Sequence, residues 1–154
     1  MTDRGEPTAP GLVELVQRSV DAVNRRDFEQ FAGFFGSDSV WDLSPMGLGV
    51  YEGSSAVLAF VEEWNGAYEE YELVLDEVLA FGNEVVFAVV VQRARLTNSS
   101  AEVRMRYASV NSYAGGVFGR ITNYLDLDEA RAAAERLAEE RGYTAGSAPR
   151  RPLR

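Results

Sequence analysis

Apolar residues recur at helical spacing through Leu12, Val16, Val20 and Val23, which predicts one buried face of a helix, with Pro10 suited to its first turn. Asn24-Arg25-Arg26 interrupts that pattern. Asp27 then opens a second helix, with Gln30 three residues on completing a capping box. Its apolar face is Phe28, Phe31, Phe34 and Phe35, and Gly36 stops it. Val40-Trp41-Asp42-Leu43 alternates as a short strand. Ser44 to Gly49 is a loop that carries two large apolar residues, Met46 and Leu48. Gly53 and Ser54 introduce a third helix, whose buried stripe is Val57, Phe60, Val61, Trp64 and Tyr68.

The period then changes to two. Strands are expected from Tyr71 to Phe81, Val85 to Leu96, Glu102 to Tyr113 and Val117 to Leu125, separated by turns at Gly82-Asn83-Glu84, Thr97 to Ser100 and Ala114-Gly115-Gly116. Asp126 and Glu129 form another capping box, 128–141 is strongly helix-forming, and Gly142 ends it. Residues 1–9 and 143–154 read as tails around one domain, 10–142. Grouped helices followed by grouped strands argue for an α+β fold, with a sheet packed on the N-terminal helices and a helix at the C-terminal end. The strand from Val85 is apolar on both faces as far as Val91. If Val89 and Val91 face the helices, Val86, Ala88 and Val90 need a second cover. A second copy of the chain is the simplest one, so a homodimer through the sheet is expected.

Composition narrows the chemistry. A length of 154 residues suits one domain, and a net charge of −9 makes nucleic acid and anionic membrane poor partners. The chain has no cysteine and no histidine, so disulfides, thiolate or imidazole metal sites and histidine-based nucleophilic catalysis are excluded. Carboxylates such as Glu62, Glu63, Glu69, Glu70 and Glu72 read as a solvated face without metal-site spacing, and no glycine-rich phosphate loop is present, so neither metal nor cofactor is expected. No apolar run approaches the roughly 20 residues of a membrane span, and a cytoplasmic protein is expected.

The two short helices, the Val-Trp-Asp-Leu strand, the proline and glycine loop, Tyr51-Glu52-Gly53, the amphipathic helix and the four-stranded meander together resemble the SnoaL-like branch of the nuclear-transport-factor-2-like superfamily. The stretches 19–35, 38–53 and 121–130 carry the likeness most specifically, and it spans roughly 10–141. The resemblance implies a curved, cone-shaped, cystatin-like α+β roll, with a pocket between the concave sheet face and the helices. The superfamily contains enzymes and non-enzymatic binders, so fold alone does not give function. Where limonene-epoxide-hydrolase-like proteins place their water-positioning and epoxide-polarising groups, this chain has Trp41, Leu43, Val89, Val91 and Asn123. Where ketosteroid-isomerase-like proteins place a tyrosine and an aspartate base, it has Ser19 and Leu43; the third position, near Val110 or Asn111, holds no acid. Scytalone-dehydratase-like chemistry needs histidine. Polyketide-cyclase-like members use an acidic group on the sheet, and the amide of Asn123 does not titrate in the useful range.

The expected pocket residues are Trp41, Leu43, Met46, Phe60, Trp64, Val89, Val91, Tyr107 and Asn123, weighed against plain core packing. Asn123 stands out because an amide is unexpected between Ile121 and Leu125. Met105 and Tyr107 share one strand face and Arg104 and Arg106 the other; an aliphatic inner face sends the arginines to solvent or to a partner. Glu77, which interrupts an apolar run, and Asp42 are the candidate catalytic acids. Three readings follow: binding of a small hydrophobic molecule in an apolar pocket, a polyketide-cyclase-like or isomerase-like enzyme, or a dimerisation module with a closed core.

Overall fold

The computed structural model describes residues 11–142, and the expected tails lie outside them. In chain order the elements are α1 (Leu12–Asn24), α2 (Phe28–Gly33), β1 (Phe35–Asp42), a 3-10 turn (Ser44–Met46), β2 (Val50–Glu52), α3 (Gly53–Gly66), β3 (Tyr68–Phe81), β4 (Val85–Leu96), β5 (Glu102–Ala114), β6 (Val117–Tyr124) and α4 (Leu127–Glu140). The six strands form one curved, unclosed sheet in the order β2-β1-β6-β5-β4-β3. All neighbours are antiparallel except β1 and β6. The sheet is therefore mixed, where an antiparallel one is expected from the meander alone. Among the described residues no helix is long and apolar enough to cross a membrane.

Local chemistry sets most boundaries. Asp27 Oδ1 accepts the Gln30 N–H at 3.1 Å, and Asp126 Oδ1 accepts the Glu129 N–H at 3.0 Å, so both aspartates cap their helices. The first α1 amide finds its acceptor far along the chain: Leu12 N donates to Asn83 Oδ1, in the β3–β4 turn, at 2.7 Å. α2 ends before Phe35, earlier than its phenylalanine spacing predicts. The Phe34 carbonyl accepts the Phe118 N–H at 3.0 Å, and Phe35 lies opposite Phe118 as the first residue of β1. Sheet pairing and the Phe35–Phe118 ring contact at 5.3 Å override the helical period there. At the other end of α1, Asn24 clamps the outer strand β3. Its Nδ2 donates to the Leu73 carbonyl at 2.9 Å and its Oδ1 accepts the Leu73 N–H at 2.8 Å. β3 is the last strand of the sheet, so the pair occupies backbone groups on an otherwise open edge.

β4 is apolar on both faces, as expected, but in the opposite phase. Val86, Ala88 and Val90 pack with Leu12, Val16, Val57 and Val61 under α1 and α3. Val85, Phe87 and Val89 pack with Ala130, Ala134 and Ala138 of α4. Those alanines recur every four residues on one helical face, leaving that face free of bulk where it meets the sheet. α4 thus supplies, within one chain, the second cover that a partner subunit was expected to give. β3 serves both layers through a bulge: Leu75 pairs with Val90 and Glu77 with Val89, leaving Asp76 as the extra residue. Before it Tyr71, Leu73 and Leu75 join the α1 and α3 side, and after it Val78 and Ala80 do, while Leu79 and Phe81 turn to α4.

Candidate functional site

A cavity of about 90 Å³ lies between α1, α3 and the inner sheet face. That exceeds several-fold the roughly 10–15 Å³ which, on a comparable measure, holds one water. Its roof comes from Val16, Ser19, Val20 and Val23 of α1 and Phe60, Val61, Trp64 and Asn65 of α3. Its floor comes from Tyr71, Leu73 and Leu75 of β3, Val90 and Gln92 of β4, Met105, Tyr107, Ser109 and Asn111 of β5, and Ile121 and Asn123 of β6. One wall is a run of rings in successive contact: Phe31 to Trp41 at 5.4 Å, Trp41 edge-on to Phe60 at 5.5 Å, Phe60 to Trp64 at 5.8 Å, and on through Tyr68 to Tyr71. Leu43, Met46 and Leu48 bring the loop after β1 against it.

Of the residues expected from the sequence, Trp41, Leu43, Met46, Phe60, Trp64, Tyr107 and Asn123 come together around this cavity. Val89 and Val91 do not. The register of β4 turns both to the other face, where Val89 is buried in the α4 core and Val91 pairs with Arg106. Val90 and Gln92 take the places assigned to them. Arg106 lies on that outer face with Asp76, at 2.9 Å, and Met105 and Tyr107 are inward.

Neither candidate acid reaches the cavity. Glu77 follows the bulge and stands opposite Val89, on the α4 side of β3. Asp42 stands beside Thr122 on β6 and pairs with Arg120 at 2.6 Å. Burial alone would raise its carboxyl, but hydrogen bonds from the Ser44 hydroxyl and N–H and from Arg120 outweigh that and hold it below the usual aspartate value. No charged side chain lines the cavity among the described residues. The chain's 15 cations are all arginine, so lysine chemistry is absent too. Nor do the described residues hold any group of three or more His, Cys, Asp or Glu placed to bind a metal ion.

The polar groups that do line the cavity are neutral. The Trp41 indole N–H donates to Asn123 Oδ1 at 3.4 Å, and the Tyr71 hydroxyl donates to Gln92 Oε1 at 2.6 Å. Asn111 Nδ2 donates to the Val86 carbonyl at 3.1 Å and to Ser109 Oγ at 3.0 Å. Burial pushes the Tyr71 phenol well above the ordinary range, with the neighbouring Tyr107 adding to the shift; burial does the same to Tyr107. Both stay protonated donors at any physiological pH. Tyr71, Gln92, Ser109 and Asn111 are the functional candidates that sequence reasoning missed. Gln92 carried the same signal as Asn123, an amide closing an apolar alternation, but the β4 phase hid it.

Residues 16–124 match the family model described as SnoaL-like domain. The fold is similar to several solved structures. A hypothetical protein with a ketosteroid isomerase-like fold from Catenulispora acidiphila, in complex with trimethylamine, is 13% identical over 92% of this chain and 100% of that one, with a TM-score of 0.66. A putative polyketide cyclase from Xanthomonas campestris is 24% identical over 79% and 95%, TM-score 0.61. An LEH-like epoxide hydrolase of M. tuberculosis is 15% identical over 81% and 90%, TM-score 0.62. At these identities the likeness establishes the fold. No protein of curated function matches the chain.

The raised phenols give a test by pH. The unfolded chain ionises its tyrosines near pH 10 while Tyr71 and Tyr107 resist in the folded state. Their contribution to stability is therefore full below about pH 10 and is lost as pH rises beyond it. Tyr71→Phe and Tyr107→Phe are expected to leave the native phenolate absorbance titration unchanged up to about pH 11 and to flatten the loss of thermal stability above about pH 10. A drop in native titration amplitude in either variant would contradict the assignment.

Proposed function

The chain belongs to the SnoaL-like domain family, and within it we propose that it binds a small, neutral, hydrophobic molecule in the pocket beneath α1 and α3. The observation that carries this reading is the lining: aromatic and aliphatic walls, a floor of neutral amides and hydroxyls, and no charge. A cation or an anion would enter with no counter-charge, at a desolvation cost of several kcal/mol. A cyclase-like or isomerase-like reaction needs a titratable group at the reacting atoms, and Asp42 and Glu77 stand across the sheet. The free volume speaks against a closed core.

Both of the chain's tryptophans line the cavity, so intrinsic fluorescence reports its occupancy. Titration with Nile red, a neutral apolar dye, is expected to give saturable binding at one site per chain with quenching of the tryptophans. Phe60→Asp alters a half-buried position, taking an apolar ring out of the wall and putting a carboxylate in its place. It should weaken binding about ten-fold or more while the far-ultraviolet circular dichroism is kept. Unsaturable binding, or an affinity indifferent to Phe60→Asp, would sink the reading.

We further propose a homodimer through the part of the outer sheet face that α4 leaves open. Val74, opposite Val91, is about two-fifths exposed there, at 42%, among cross-strand pairs such as Arg93–Glu72 and Arg106–Asp76. Sedimentation equilibrium at micromolar concentration should give the dimer mass, and a monomer that persists as concentration rises would contradict the proposal.

A further inference from the structure

The hydrogen bonds inside the pocket are spent unevenly, and what they leave over is mostly donors. The indole of Trp41 can only donate, so the Asn123 oxygen is taken and its NH2 is the group left to a ligand. The Tyr71 hydroxyl takes the Gln92 oxygen in the same way and leaves the Gln92 NH2. Ser109 Oγ accepts from Asn111 and keeps its own proton to give. The Tyr107 hydroxyl has no partner among the described residues. These four side chains line the cavity, and none of their polar atoms is both sealed from it and unpaired.

Sheet register gathers them. Ser109 stands directly opposite Asn123, while Gln92 is opposite Met105 and Tyr107 opposite Val90. Tyr107 is thus a diagonal neighbour of both Gln92 and Asn123, roughly 7–8 Å from each, within reach of one small molecule. The acceptors are fewer. Asn111, two positions beyond Ser109, spends its NH2 on Val86 and Ser109 and offers its oxygen; Ser19, whose hydroxyl donates to the Val16 carbonyl, offers its lone pairs. The Asn65 oxygen is unpaired but sealed away from the free space.

We propose that this diagonal of donors makes the pocket selective for hydrogen-bond acceptors, so that its ligand is a neutral ring compound presenting carbonyl oxygen, as a ketone, quinone or lactone does, in preference to one presenting N–H. The proposal rests on the binding reading above. It makes Gln92, Tyr107, Ser109 and Asn123 specificity-determining residues, with Trp41 and Tyr71 as positioning residues that fix which end of each amide faces the ligand. A donor-bearing ligand would leave these four donor groups without acceptors and find chiefly Asn111 and Ser19 for its own.

Three tricyclic probes of one shape separate these statements: 9-fluorenone with a carbonyl acceptor, carbazole with an N–H donor, and fluorene with neither. Calorimetric titration is expected to rank fluorenone first, about ten-fold or more tighter than carbazole, with fluorene between or level with carbazole. Tyr107→Phe removes one hydroxyl and no packing volume, and should cut the fluorenone-to-fluorene ratio roughly three-fold or more while fluorene itself binds as before. Equal affinity for all three probes would overturn the donor proposal and leave the pocket as a binding site. Carbazole binding as tightly as fluorenone, or a ratio unmoved by Tyr107→Phe, would also overturn it. Failure of all three to bind would remove the binding reading and this proposal together.

Discussion

A central strand that is apolar on both faces has to be covered twice, and the architecture follows from that requirement at β4. Exposing either row, Val86, Ala88 and Val90 or Val85, Phe87 and Val89, would leave several large side chains in water, each worth about 1.5–3 kcal/mol when buried. α1 and α3 cover the first row and α4 the second. The cover on the first side is incomplete. Val86 and Ala88 are packed beneath it, whereas Val90 and Gln92 open onto the cavity. The pocket is the part of the inner sheet face that helix packing does not fill.

The bulge at Asp76 lets one long strand meet both demands. It turns Tyr71, Leu73 and Leu75 to the pocket and then Leu79 and Phe81 to α4, and it carries Glu77 away from the pocket with them. Charge is sorted by the same alternation. Arg93, Arg95 and Arg106 find carboxylates on the outer face at 2.9 to 3.2 Å. The inner face keeps amides and hydroxyls, which are neutral and so cost far less to bury than charges.

Much of this was legible in the sequence. The switch from helical to twofold period, both aspartate caps and the four long strands follow from spacing and turn chemistry. So does the inward direction of Trp41, Tyr107 and Asn123, because each lies on a strand whose two faces differ. The phase of β4 did not follow, because a strand apolar at both alternations carries no information about which row faces which layer. Val89 and Val91 were misassigned for that reason, and Gln92 was hidden with them. The landing place of α4 was also obscure: alanines at 130, 134 and 138 are equally at home on a solvated helix, and only the sheet face beneath reveals their packing. The early end of α2 depends on Phe118, more than 80 residues away by chain position from Phe34, where local spacing cannot reach.

A neutral, apolar cavity of this kind is proposed to hold a molecule, and its occupancy in the cell can be read directly. Mass spectrometry of the protein purified from its own host, first under native and then under denaturing conditions, tests it most directly. The expected result is a native mass above that of the chain or its dimer, and release on denaturation of a small uncharged compound rich in rings. A native mass equal to that of the polypeptide alone, with no affinity for neutral apolar molecules supplied afterwards, would contradict it.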